Sequence, residues 1–311
     1  MTTRATGSAT GALMRLAAPI MRLAPETRGA LGMVVATFFF ITMDSFAKDL
    51  GEHLPPMMVV WARYVSQSVL IAICLAPSLR RHLATRAPGQ QALRGALLFT
   101  VTALFFSALA HLPLAEAIAL VQLAPLMITA LAALILRETV GPRRWVAVAL
   151  GLMGALLIVR PGLGVFHPAA LFAIAAAFCF ALFQILTRIL AGRDGVWTTM
   201  LWTSLVGAAM ASAALPWVWV TPPVEALPGM VLIGLAGLIG HVIFVWAAAQ
   251  VPASVLAPFN YSSLVWATLS GLVIFGEVPA LLTLIGAGVI VGAGLYVWQR
   301  ERQLSAPASK A

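Results

Sequence analysis

Apolar residues come in long runs along this chain, and polar ones fall mostly between the runs. Ten runs can be delimited, at 30–50, 56–76, 95–111, 113–136, 145–159, 169–190, 197–219, 229–250, 253–275 and 280–298. Apart from the short 145–159, each is near the roughly 17–25 residues an α-helix needs to cross hydrocarbon. Backbone groups in lipid must be satisfied within their own segment, so the runs predict ten membrane helices and an all-α fold.

Composition agrees: 61% of the 311 residues are apolar and 9% are charged, against about 25% charged in soluble chains. The net charge of +9 is a topology signal. Arg4, Arg15, Arg22 and Arg28, the loop arginines 80, 81, 86, 94, 137, 143, 144, 188 and 193, and Arg300, Arg302 and Lys310 all fall on one side, which makes 16 of the 19 Lys and Arg. Positive charge concentrates in cytoplasmic loops, so both termini are expected in the cytoplasm and the chain in the cytoplasmic membrane. These charges form no continuous patch, which argues against nucleic acid. Two cysteines, Cys74 and Cys179, both inside apolar runs, support neither a disulfide framework nor a metal site. No cleavable signal sequence is expected, and residues 11–23 read either as a surface-lying amphipathic segment or as a disordered tail.

The two halves repeat. An offset of 139 pairs Pro113 with Pro252, Glu138 with Glu277, Phe105 with Phe244 and Thr129 with Thr268. Earlier in each half, an offset of 140 pairs Phe38 with Phe178, Phe40 with Phe180, Lys48 with Arg188 and Leu50 with Leu190. The organisation expected is a tail over 1–28, one five-helix unit over 29–160, a second over 168–299, and a tail over 300–311. Five is odd, so the second unit enters the membrane from the opposite side. Inverted repeats around a central cavity are the architecture of secondary transporters.

The stretches "LAPLMITALAALILRE" (123–138) and "FNYSSLVWATLSGLVIFGE" (259–277) give the chain a resemblance to the drug/metabolite transporter superfamily. The likeness is to its EamA-type branch, including the aromatic amino acid exporters. Leu264 departs from the pattern, standing where the second repeat would match Pro125; Pro258 lies nearby. The resemblance implies two five-helix repeats and export of amino acids, drugs or other metabolites. It also implies a cavity among spans 3, 4, 8 and 9 with parts of 1 and 6.

Polar residues inside the runs mark the candidate path. Asp44 aligns with Gln184, Thr102 with His241, and Gln122 with Tyr261. Gln122 and Thr129 lie two helical turns apart on one face, as do Tyr261 and Thr268, flanked by Asn260 and Ser263. Such a stripe is costly toward lipid and is expected to face a cavity, or to bridge helices. The substrate set is therefore Gln122, Asn260, Tyr261, His241, Ser263, Trp246, Thr102, Phe183 and Gln184. Phe39, Phe178, Trp202 and Trp266 share the aromatic reading, as pocket walls or as packing residues. Trp145, Trp197, Trp217, Trp219 and Trp298 read as interfacial anchors.

Asp44, Lys48, Arg63 and Glu116 form a charged group toward the outer half, either an external gate or a static neutralising set. Asp44 and Lys48 are spaced to pair on one helix. His241 and Asp44 are rival sites for proton coupling. Gly288 and Gly292 form GxxxG, which fits close helix contact within a monomer.

No HExxH, GxSxG or Walker A lysine is present, so enzyme and ATP-driven classes have no motif to stand on. A channel is disfavoured by the inverted repeats. The reading is a secondary transporter exporting small amphipathic metabolites, aromatic or large apolar amino acids first, with a broad drug-efflux carrier as the alternative. A small-molecule substrate and the bilayer are its expected partners, with no cofactor.

Overall fold

A computed structural model describes residues 23–135, 141–160, 167–189, 193–251 and 253–305. The N-terminal amphipathic segment up to residue 22, Glu138 and the side chain of Arg188 lie outside the described residues. Among those described there is no strand. The helices are α1 (Pro25–Gly51), α2 (Pro56–Cys74), α3 (Leu79–Leu83), α4 (Pro88–Leu109), α5 (Leu114–Val121), α6 (Ala124–Ile135) and α7 (Pro142–Val159). The second half supplies α8 (Ala170–Ile189), α9 (Val196–Ala214), α10 (Ala226–Ala248), α11 (Ala253–Asn260), α12 (Ser262–Ile274) and α13 (Leu281–Ser305). Proline opens α1, α2, α4 and α7, where its missing N–H would have had no partner in the helix anyway.

Among the described residues, eight segments are long and apolar enough to cross a membrane, with α5 and α6 taken together, and Trp145–Val159 is a shorter apolar helix. The expected ninth span is divided into α11 and α12. Large apolar side chains stand outward, Val273 at 81% and Leu281 at 72% exposure, while Asp44, Arg63, Gln67 and Gln122 are buried. This inversion of the soluble arrangement suits a lipid surround.

Both divided spans break at repeat-related positions. In the first, Gln122 closes α5 and α6 resumes at Ala124. Pro125 has no N–H to give the carbonyl of Val121, and its ring crowds that carbonyl. In the second, Pro258 lies inside α11 and the break falls at Tyr261. Shorter i→i+3 bonds bridge the break, from Tyr261 N–H to Pro258 O at 3.3 Å and from Leu264 N–H to Tyr261 O at 3.0 Å. Leu264 in place of a proline therefore does not straighten this span.

Packing obeys the same exchange. α1 packs on α10 and its counterpart α8 on α4; α2 packs on α10 and its counterpart α9 on α4. Two pairs map onto themselves, α2 with α9 and α7 with α13. The relation reaches single residues. Gly95 of α4 lies against Val206 of α9, and Gly234 of α10 lies against Ser66 of α2. Offsets of 139 and 140 carry Gly95 to Gly234 and Ser66 to Val206. Glycine is required at both places because a Cβ would have no room.

Two expectations change. The third span starts at Pro88, seven residues before the apolar run, so Arg94 belongs to a membrane helix and not to a loop. The close contact of the last span is not made by Gly288 and Gly292, which face open space. It is made by Gly286 against Gly154 of α7, where a Cβ on Gly154 would stand 2.8 Å from the carbonyl oxygen of Gly286.

Candidate functional site

The four charges of the expected gate divide into two layers. Lys48 is three residues from the end of α1, whereas Asp44 is seven from it. Arg63 is seven residues into α2 from the same end of the bundle, and Thr102 seven from the end of α4. At 1.5 Å per residue the second layer lies about 6 Å below the first.

In the upper layer, at the end expected to face away from the cytoplasm, Lys48 Nζ meets Glu277 Oε1 at 2.9 Å. Its ammonium also donates to the carbonyl of Leu112 at 2.7 Å and lies 5.5 Å from the Phe275 ring centre. The expected Asp44–Lys48 pair does not form: Lys48 turns toward Glu277, which offers an ion pair where Asp44 is buried one turn deeper. Glu277 Oε2 accepts the N–H of Leu114 at 2.9 Å. Leu114 opens α5, so the carboxylate satisfies an otherwise unpaired amide and sits at the positive end of the helix dipole. One carboxylate thus ties span 1 to span 4 and to the connection after α12. Beside it lies a cavity of about 130 Å³ lined by Glu116, Arg160, Glu277 and Thr283 among others. Arg160 Nη2 donates to Thr283 Oγ1 at 3.2 Å. Arg160 and Glu277 are the charges acting on Glu116.

The lower layer is a buried polar cluster. Arg63 Nη1 donates to Thr102 Oγ1, and the guanidinium lies 5.0 Å from the Tyr64 ring centre and 5.7 Å from that of Phe106. Thr102 donates its own proton to Leu98 O at 2.9 Å, so its oxygen accepts from both Arg63 and the Tyr64 hydroxyl, 2.9 Å away. Arg63 is the cation acting on Asp44 of α1, and it also acts on His241 of α10. His241 Nδ1 contacts the carbonyl of Gly237 at 2.8 Å and its ring stands edge-on to Phe40. Gln67 of α2 approaches Gly237 on the neighbouring turn of α10.

Several buried polar atoms here have no hydrogen-bond partner among the described residues: Arg63 Nε, Gln67 Oε1, Ser68 Oγ and Gln122 Nε2. Such atoms are rare in folded proteins and mark places where a ligand can complete the bonding. Gln122 closes α5 eight residues below Leu114, at nearly the depth of Arg63.

The remaining expected site residues lie elsewhere. The Tyr261 hydroxyl lies against Gly294 of α13. Ser263 Oγ donates to Asn260 O at 2.8 Å, and Asn260 is half-buried at the break. Trp246 is 37% exposed and packs its ring edge on Gly32 of α1. Phe183 lies under the guanidinium of Arg94, 4.5 Å from its ring centre, and Arg94 also donates to Thr187 at 2.8 Å and to Thr203 at 2.5 Å. Gln184 is half-buried beside Phe183. Trp266 donates its N–H to Val34 O at 3.1 Å, and Ser262 meets Thr37 at 2.7 Å; both cement α12 to α1. Thr129 bonds back to Pro125 O at 3.1 Å.

Sequence reasoning passed over Gln67, Ser68 and Arg94. A mid-run amide at Gln67 was the available signal for the first.

The EamA-like transporter family model matches this sequence twice, over residues 27–160 and 167–298. The chain belongs to the EamA-like transporter family. It is 26% identical over 260 residues to an S-adenosylmethionine uptake transporter of Rickettsia bellii, covering 84% of this chain and 89% of that one. It is 31% identical over 287 residues to a riboflavin transporter of Vibrio cholerae, covering 89% and 95%. A pseudopaline exporter of Pseudomonas aeruginosa is 26% identical over 270 residues, covering 85% and 94%. A solved crystal structure superimposes with a TM-score of 0.60 at 23% identity, covering 88% of this chain and 99% of the other, which supports the fold. The EamA-like protein is thus a multi-pass membrane transporter and not an enzyme, and these relatives are named for cargo other than aromatic amino acids.

Proposed function

We propose that this transporter carries an amphipathic metabolite joining a planar ring to a zwitterionic or strongly polar head, by alternating access across the cytoplasmic membrane. Arg63 carries the reading: a buried guanidinium with an unpartnered Nε, with the buried Asp44 at the same depth on α1. A carboxylate can meet Arg63 and an ammonium Asp44, each in a setting where a charge-assisted bond is strong. Gln67, Gln122 and His241 supply neutral bonds, Thr102 holds Arg63 in place, and Tyr64, Phe106 and Phe40 supply ring surface. Asn260, Ser263, Tyr261, Phe183, Gln184 and Trp246 border the path at the second break and at the inner half. Lys48, Glu277, Glu116 and Arg160 form the outer closure, which releases when the cavity opens outward.

Aromatic amino acids fit this description, and so do larger metabolites of the kind for which the Rickettsia and Vibrio relatives are named. Direction follows the gradients and the coupling ion; export is the direction expected from the resemblance, and relatives are named for both uptake and export. Counterflow in proteoliposomes tests the proposal with tryptophan, phenylalanine, S-adenosylmethionine and riboflavin, with and without a pH gradient. Accelerated exchange of a ring-bearing zwitterion that is lost in Arg63→Gln supports it. Exchange of riboflavin alone, indifferent to Arg63→Gln, sinks the zwitterion reading.

A further inference from the structure

The richest cluster of uncommitted charge lies at the opposite end of the bundle from Lys48 and Glu277. There the connection between α3 and α4 meets the start of α9, enclosing an open pocket of about 610 Å³. Arg81, Thr85, Arg86, Arg193, Asp194 and Thr198 contribute to its lining. Asp194 is already committed. Its carboxylate accepts from the Thr85 hydroxyl, from Gln91 Nε2 at 2.8 Å and from the Arg86 N–H at 3.2 Å. These bonds, the Thr85 one foremost, hold the carboxyl below the usual range and keep it ionised. They fasten the α3–α4 connection to the head of α9.

The arginines are not so committed. Arg193 gives one N–H to Gln90 Oε1 at 2.9 Å, out of the five donors a guanidinium carries. Among the described residues, no hydrogen bond or ion pair holds the Arg81 guanidinium, and that of Arg86 acts on Asp194 by charge alone. Three cations against one carboxylate leave the pocket with a net charge of +2. Leu83, Val196 and Trp197, exposed sequence neighbours of the lining residues Ala84, Gly195 and Thr198, add apolar surface; Leu83 ends the short α3, and Val196 and Trp197 open α9.

We propose that this pocket binds the phosphate headgroup of an anionic phospholipid from the adjoining leaflet. Guanidinium groups match phosphate oxygens in planar, paired hydrogen bonds. The exposed Leu83, Val196 and Trp197 give the acyl chains and glycerol a surface that a free phosphate does not need. Basic pockets at the cytoplasmic ends of membrane helices are suited to anionic headgroups, each cation there contributing about fivefold to affinity. Because Asp194 joins two connections at this pocket, an occupied pocket braces the inner ends of α4 and α9. This proposal is independent of the substrate reading.

Native mass spectrometry of the full-length protein, titrated with phosphatidylglycerol or phosphatidylcholine, reads the binding directly. Wild type is expected to retain phosphatidylglycerol in preference to phosphatidylcholine. Arg81→Gln/Arg86→Gln/Arg193→Gln is expected to weaken phosphatidylglycerol binding by about a hundredfold, the product of the three contributions. Arg81→Lys/Arg86→Lys/Arg193→Lys keeps the charge and retains most of the binding, which separates charge from folding. Equal retention of the two lipids overturns the proposal, as does undiminished phosphatidylglycerol binding by a folded triple glutamine variant. Inorganic phosphate is the second arm: if it displaces phosphatidylglycerol at equal concentration, the site is one for a soluble phosphate and the lipid assignment fails.

Discussion

Lys48 on the first span holds Glu277, at the far end of the chain, at 2.9 Å, and the same carboxylate caps α5 through Leu114. The arrangement spans both repeats: Lys48 and Leu114 come from the first and Glu277 from the second. With side-chain exposures of 13% and 23%, the pair sits between a surface ion pair, about 0–1 kcal/mol, and a buried one.

In a background lacking Cys74 and Cys179, Ala115→Cys reports on the outer cavity it lines. Lys48→Met or Glu277→Gln is expected to raise its labelling by an impermeant thiol reagent about fivefold, the factor corresponding to about 1 kcal/mol. The exchange Lys48→Glu/Glu277→Lys is expected to restore part of the protection. Labelling unchanged in every variant would show that the tie closes nothing.

Arg63→Gln is expected to weaken substrate binding by about 10- to 150-fold, the worth of one hydrogen bond to a charged group. It also removes the cation that acts on the buried Asp44, which costs stability. Arg63→Gln/Asp44→Asn separates the two effects, with thermal stability expected to recover and substrate affinity to stay low. Isothermal titration on the purified variants, alongside melting curves, decides it; affinity returning with stability would reduce Arg63 to a structural charge.

Gly154 and Gly286 bring α7 and α13 into backbone contact, whereas Gly288 and Gly292 face open space. Gly154→Ala is expected to destabilise by about 1–3 kcal/mol through overpacking. Gly288→Ala and Gly292→Ala are expected to be neutral or slightly stabilising, since alanine favours the helix. Melting temperatures in one detergent rank the three.

Asp194 supplies a pH-dependent contribution. Its carboxyl is held below the usual range in the folded protein, so its bonds stabilise above the unfolded value of about 4 and are lost as pH falls through the lower folded value. Asp194→Asn is therefore expected to melt below wild type at pH 7, with the two curves converging only as acid protonates Asp194 in the folded protein. A gap that persists once Asp194 is protonated in both states would mean that shape, not charge, holds this junction.

Much of this protein was legible in its residue order. Long apolar runs fixed the helices because lipid leaves the backbone no other partner. The offset between the halves, visible at Pro113 and Pro252, announced the pseudo-symmetric packing later seen at Gly95 and Gly234. It also placed Gln122 opposite Tyr261, the two positions where the fourth and ninth spans break. Side-chain direction was not legible, since neighbouring positions on a helix point about 100° apart and only packing selects which face meets which neighbour. Spacing alone allowed Lys48 to pair with Asp44, but the tertiary fold offered it Glu277, 229 residues away in sequence. Tyr261 aligned with a buried glutamine, yet its hydroxyl found the gap left by Gly294. Arg94 sat outside the apolar run and was drawn into the membrane because Thr187, Thr203 and Phe183 converge on it from two other helices. Each of these outcomes depends on groups far apart in the chain, and a one-dimensional pattern carries no distance between them.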